Sequence, residues 1–497
     1  MTLSEHITKL PDRVSFKGKL PLPVLFYVLA VAIPFRFDVG PLTLNGVRAI
    51  LLVTIIPLTI RLMMGKYGKV LLTDIMLFLH MFWALLALWV NNPLRVVETI
   101  GSTSIEFLGG YVLARAYIRS SESFGALCRF VIFVVCCTLP FALYETLTGR
   151  PILIELINNL PGLRSENNVN QEPRLGLERA QVVFAHPIHY GLFCSMAFSL
   201  SFIGFKGIYS STKRYLLCII ITLCVFFSVS SGALLAVMLQ LGIIFWAWTF
   251  QRISFRWLLL LGFLVFCYVT IDLLSNRTPM RVFMTYATFS PWNAYWRGLI
   301  FEHGMNNVWA NPFLGLGLNN WIRPSFMAGS SVDNFWLLTA MQFGIPGFIL
   351  LFGGYAIALW HVGRRPLDDY PLLWQQRRAW MFTLAGLTFT LSTVAIWSSI
   401  YSFVFFFFGA GMWFITTEPK SETRMASSEP DRAGPSLRRY DNADGLKRTR
   451  QNQKTESTPQ QIAGAGEDQT PDRTDRNANR YTRFPATVIA SEDKENK

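Results

Sequence analysis

The sequence predicts an all-α polytopic membrane protein of about 12 transmembrane helices, with one long outer loop and a disordered tail at the inner face. Three observations carry that class. The 497 residues are 52% hydrophobic and only 15% charged, far from the balance of a soluble chain of this length. Apolar runs long enough to cross about 30 Å of hydrocarbon as helices recur along the first four-fifths of the sequence, and they do not alternate as barrel strands do. Finally, Lys66/Lys69, Arg119/Arg129, Lys213/Arg214, Arg252/Arg256 and Arg364/Arg365 all fall on one side under strict alternation of spans, as the positive-inside bias requires.

Residues 1–20 are polar and basic and are assigned to the inner face, and residues 21–416 form the membrane domain. The first span starts at Pro21, and no cleavable leader precedes it. A short outer turn around Asp38 leads to the second span, which ends near Arg61, and the third runs about 70–90. The fourth, about 104–118, is the weakest. The fifth, about 127–146, opens on a sizeable outer loop, residues 147–185. The sixth begins at His186 or Pro187, since Pro suits a first helical turn. A tight turn at Ser230-Ser231-Gly232 joins the seventh and eighth. The ninth delivers the chain to the long outer loop, 274–334, whose length marks it as more than a connector. After the tenth span comes the Arg-rich stretch HVGRRPLDDYPLLWQQRR, then a closing hairpin of two spans. From 417 to 497 the composition turns to Ser, Asp, Arg, Glu, Gln and Asn, too polar to offset the entropy of ordering. Both termini are expected inside.

The net charge of +14 follows from that topology rather than from nucleic-acid binding. The seven cysteines lie in or beside apolar runs without paired ligand spacing, which favours small buried hydrophobes over a metal site or disulfides. No nucleotide-binding glycine motif is present.

The chemistry is expected in the two outer loops. They hold arginines on the side where topology disfavours them, and a guanidinium offers paired donors to phosphate and stays charged. Arg277, Arg281 and Arg297 from the long loop are the leading anion ligands, with Arg174 and Arg179 from the other. Arg277 and Arg281 would share a helix face, although Pro279 interrupts it. The simpler account is anchoring at lipid headgroups or pairing with Asp272 and Glu302. His186 and His189, three apart, bring two imidazoles towards one face; without a third ligand they suit proton transfer better than zinc. His303 is a second candidate base, beside Glu302. Asp333 and Asn334 precede the tenth span as a helix cap or as groups that orient a substrate.

Four stretches together resemble the O-antigen ligase and polysaccharide polymerase superfamily of bacterial envelope proteins: RLGLERAQVVFAHPIHYGLF, VSSGALLAVML, NAYWRGLIFEHGMNNVWANPFLGLGLNNW and SVDNFWLLTAMQFGIPGFILLF. The resemblance covers about 174–352. Arg297 matches the family's arginine ahead of Asn-Pro, and Asn311, Pro312, Gly315 and Gly317 match its loop. Where the family often has His-Asn, this chain has Asp333-Asn334.

The resemblance implies an inner-membrane, metal-independent, inverting glycosyltransferase without a cofactor, its active site and long loop facing the periplasm. Its donor would be an undecaprenyl-diphosphate-linked glycan, and its acceptor a second such glycan or the lipid A core. Arg297, His189, His303 and Asp333 would take the catalytic roles. Arg174, Arg179, Arg277, Arg281, His186, Asn311, Gly315, Gly317 and Asn334 would bind substrate. Expected partners are membrane lipids and the flippase and chain-length or export proteins of the pathway, and no nucleic acid. The departure at Asp333 favours polymerisation of exopolysaccharide or O-antigen over ligation. A transporter or a non-catalytic scaffold of polysaccharide export is the competing class.

Overall fold

A computed structural model describes residues 18–39, 42–169, 171–276, 278, 279, 282, 285, 291–327 and 329–418. Arg277, Arg281 and the expected disordered tail from 419 onward lie outside the described residues.

The chain is a helical bundle. Eight segments among the described residues are long and apolar enough to cross a membrane. They are α2 (Gly46–Met63), α3 (Leu72–Asn91), α6 (Ser121–Thr148), α8 (Pro187–Ser199) with its π-helical continuation to Gly204, α10 (Ser231–Thr249), α11 (Arg256–Leu274), α13 (Phe335–Gly363), and α15 (Ser398–Gly409) with α16 (Trp413–Thr416). Further helices stand where other spans are expected but are shorter or more polar. These are α1 (Leu22–Ala32), the run of α4 (Val96–Ser104) through a π turn into α5 (Gly110–Tyr117), α9 (Ser211–Phe227), and α14 (Pro371–Thr390), which opens on Gln375-Gln376-Arg377-Arg378. A hairpin of β1 (Arg36–Val39) and β2 (Leu42–Asn45) joins α1 to α2.

The exterior agrees with a bilayer. No residue of α11 is buried, and Leu261, Phe263, Leu264, Val265 and Phe266 face outward along it; such a surface is stable against lipid and not against water. Inside the bundle, polar groups are paired between helices, as hydrocarbon demands. Gln240 of α10 accepts from Ser199 at 2.6 Å and donates to the Ser195 carbonyl at 3.0 Å. The Tyr27 and Ser402 hydroxyls meet at 2.8 Å.

The two ends of the bundle differ in chemistry. At one, Arg115 donates to the Tyr67 and Lys69 carbonyls and lies 3.5 Å from Asp74, Arg129 donates to the Gly18 carbonyl, and Gln376 donates to the Ser121 carbonyl. This is the end with the basic residues of the short connections. At the other end gather the hairpin, the segment 164–186, the turn 228–230, and residues 391–398. The Arg36 and Arg164 backbones pair, the Ala180 amide reaches the Phe227 carbonyl, and the Phe335 amide is shared between the Leu391 and Val394 carbonyls.

The long interval between α11 and α13 is not a plain loop. It contains α12 (Pro291–Ala310), a 20-residue helix. Leu299, Ile300 and Val308 of α12 pack with Trp321, Met327 and Val332 and with Leu337, Ala340 and Met341 of α13 to form a second core. The sequence hid this helix because its apolar face is narrow and the helix also carries Arg297, Glu302, His303 and three Asn.

Behind it, Phe313 meets a break inside α13. Gly344 sits at φ 72° with Phe313 O only 2.1 Å from where a Cβ would stand. Gly344→Ala therefore meets both backbone strain and a backbone clash. The expected result is a loss of about 3 kcal/mol or more of stability, read as a sharp fall in folded yield from membranes.

Candidate functional site

The segment 164–186 has almost no secondary structure, so its shape depends on what holds it. Glu145, near the end of α6, accepts from the Gln181 and Val182 amides at 2.8 and 2.9 Å. The Gln181 side chain then accepts from the Val169 amide and donates to the Asn167 and Phe184 carbonyls. These bonds fold the segment back over the bundle end and aim Arg174 and Arg179 at one place.

Arg179 is 7% exposed. Its Nη1 donates to Gln171 Oε1 at 3.1 Å, while its Nε and Nη2 are buried without a partner among the described residues. Arg174 reaches the Val229 carbonyl at 3.5 Å. Arg297, on the first turns of α12, has a buried Nη1 without a partner among the described residues, and its guanidinium interacts electrostatically with Asp333 and with Arg174.

Burial lowers the pKa of all three arginines. Arg179 is pushed down to about 10 by burial and then by Arg174; for Arg297, Arg174 adds to burial and Asp333 opposes it. Three cations with two carboxylates in electrostatic reach, Glu172 at Arg174 and Asp333 at Arg297, and three buried N–H positions unpaired among the described residues form a site suited to an anion.

The histidines flank this site. His186 caps α8, its Nδ1 accepting from the Ile188 amide at 3.1 Å. That bond places the proton of the neutral ring on Nε2, so His186 is a donor. Burial, then Arg179 and Arg174, push its pKa down to about 4. The native state thus holds His186 neutral where the unfolded chain would bind a proton, between about pH 4 and 6.5, and stability falls as pH drops through that window. At pH 4.5 the penalty is on the order of 2 kcal/mol. His186→Gln is expected to flatten the wild-type decline in thermal stability between pH 6.5 and 4.5 and to leave pH 8 stability nearly unchanged.

His189 is 1% exposed, hydrogen-bonded to the Ala395 backbone, with Nε2 unpartnered. Its ring lies edge-on to Trp397 at 4.0 Å between centroids, and His186 meets the same indole at 5.9 Å. Trp397 itself is 46% exposed. Four non-glycine residues with left-handed backbone surround the region, at Leu175, Val182, Val229 and Ser398, and each adjoins or supports a site group. Strain of this kind persists only where the surroundings enforce it.

The structure therefore brings Arg174, Arg179, Arg297, His186, His189 and Asp333 to one end of the bundle. Others have different surroundings. Asn334 caps α13, accepting from the Leu337 amide at 3.0 Å. Gly315 and Gly317, at φ near 60°, seat the loop on the Met341–Gln342 backbone and on Asn91 of α3 and Asn92 just beyond it. Asn311 bonds back to the Asn307 carbonyl. His303 lies six residues beyond Arg297 on α12, on another face of that helix.

Below Asn334 runs an apolar cavity of about 360 Å³, lined by Phe301, Met305 and Trp309 of α12 and by Trp336, Ala340 and Phe348 of α13.

The O-antigen ligase family model matches residues 216–352. That stretch of the chain is similar to the O-antigen ligase family. It includes Arg297, the Asn311–Gly317 loop and Asp333, and it stops short of Arg174, Arg179 and both candidate-site histidines on one side and Trp397 on the other. The matched stretch thus holds α12 and the larger part of α13, and the rest of the site comes from flanking sequence. No curated protein matches the chain.

Sequence reasoning missed Glu145 and Trp397. Glu145 was readable, because a carboxylate near the end of an apolar span is a functional flag in itself. Trp397 carried no signal until the hairpin was folded onto α8.

Proposed function

We propose that the protein is a glycosyltransferase of the outer face of the bacterial inner membrane, polymerising repeat units carried on undecaprenyl diphosphate. The convergence of Arg174, Arg179 and Arg297 with unpaired buried donors carries the reading. A diphosphate satisfies those donors, and the apolar cavity starting at Asn334 suits the first isoprene units of its lipid.

In the transfer, the acceptor hydroxyl oxygen bonds to the anomeric carbon of the donor sugar from the face opposite the diphosphate, and the bond from that carbon to the diphosphate oxygen breaks. The configuration inverts. Charge building on the leaving oxygen meets guanidinium donors already in place, where their effect is largest. His189 receives the hydroxyl proton at Nε2, which its backbone bond to Ala395 leaves as a free acceptor; Trp397 is its cover and must turn aside for the acceptor. Asp333, within electrostatic reach of Arg297, orients it.

The site requires no metal for charge stabilisation, so transfer should persist in excess chelator. We take the membrane domain to have about 12 spans with both termini inside. A strain lacking the gene should accumulate single repeat units on the carrier lipid. Full-length chains on the carrier would make the protein a ligase acting on lipid A core. Unchanged glycan output would leave transport or scaffolding.

A further inference from the structure

Trp397, which meets both histidines, also lines a polar cavity of about 410 Å³, together with Arg36, Asn45, Arg48, Ser102, Thr103, Glu106 and Ser398. Its volume is within the ~300–1,000 Å³ of small-ligand sites. Its charges are internally matched. Arg48 Nε donates to Glu106 Oε1 at 2.8 Å, and Arg36 is ion-paired with Glu166. The arginine site has an excess of cations and unpaired donors among the described residues; this cavity has the two ion-paired arginines, an amide and three hydroxyls.

Such a lining does not select an anion. It offers fixed donors and acceptors to a neutral, hydroxyl-rich ligand, and the exposed indole of Trp397 offers an apolar wall for the C–H face of a sugar ring. Arg48 and Arg36 are each about one-third exposed at the side chain, and Glu106 is 7% exposed, so the pairs are held yet reachable. Ser398, at φ 57°, fixes the turn that presents the indole.

We infer that this cavity binds the terminal sugar of the acceptor glycan, with Trp397 as the partition between acceptor and donor sites. The inference rests on the glycosyltransferase reading for its reaction, but the pocket's ligand is tested apart from it. Trp397 contacts both His186 and His189 and is also part of the cavity wall. A hydroxyl entering past its edge arrives beside His189 Nε2.

The test uses the full chain in detergent with two probes. One is a set of labelled oligosaccharides released by mild acid from the host's own envelope polysaccharide; the other is undecaprenyl diphosphate. Ser102→Leu fills the cavity, and Glu106→Gln keeps its shape while removing the carboxylate charge. Both should weaken oligosaccharide binding at least tenfold and leave undecaprenyl diphosphate binding within twofold. Should Ser102→Leu fail to accumulate, Glu106→Gln alone decides.

Oligosaccharide binding that is absent in the wild type or unchanged in the variants overturns the inference. Parallel loss of undecaprenyl diphosphate binding also overturns it, since the cavity would then belong to the donor site. Wild-type binding of oligosaccharide but not of undecaprenyl diphosphate, with the variants behaving as expected for the oligosaccharide, leaves the acceptor site standing and removes the donor assignment.

Discussion

Arg297→Ala is expected to reduce glycan transfer by about 10²–10³, the usual cost of removing one donor that meets developing charge in a water-poor site. Protein abundance should hold, because the Arg297 side chain makes no hydrogen bond among the described residues; α12 is seated by Leu299, Ile300 and Val308 on α13. Arg297→Lys should recover only part of the rate. An ammonium restores the charge but not the planar pair of donors. The check is the initial transfer rate from lipid-linked donor in membranes, normalised to immunodetected protein. The double variant Arg179→Ala/Arg297→Ala should lose less than the product of the single losses, because both act on one anion.

Glu145→Ala should produce the largest structural effect of any single substitution at this end of the bundle. The carboxylate satisfies two buried amides, those of Gln181 and Val182, and Val182 is in the left-handed backbone region at φ 56°. Removing the carboxylate leaves both N–H groups unpaired in a buried place, at about 1–3 kcal/mol each. Because Arg174 and Arg179 hang from this segment, activity should fall with stability. Glu145→Gln retains one acceptor oxygen and should sit between. Thermal unfolding of detergent-solubilised protein, together with proteolysis between residues 164 and 186, reads the two effects separately.

What was legible in the sequence follows the physics of each signal. Apolar runs such as those of α10 and α11 are read directly, because hydrocarbon imposes composition on anything that crosses it. The arginines of the two outer loops were legible for the complementary reason, as cations placed where topology disfavours them. The convergence of Arg174 and Arg179 with Arg297 was expected, and the structure places them together.

Less was legible where partners are distant in sequence. Nothing in the order of residues pairs Trp397 with His189, 208 positions apart, or Arg48 with Glu106. The α12 helix was hidden because it packs through a handful of apolar residues on one face and spends the rest on polar ones. Gly315 and Gly317 were read for their motif, whereas their left-handed backbone and tight approach to α13 and α3 show what the loop's conformation asks of glycine.

The proposed function requires that the buried N–H groups of Arg179 and Arg297 that lack partners among the described residues hold a lipid diphosphate. Native mass spectrometry of the purified full-length chain titrated with undecaprenyl diphosphate, with excess chelator present, tests it most directly. The prediction is one bound equivalent in the wild type and at least tenfold weaker binding in Arg179→Ala and in Arg297→Ala. Equal binding in the wild type and both variants would contradict it.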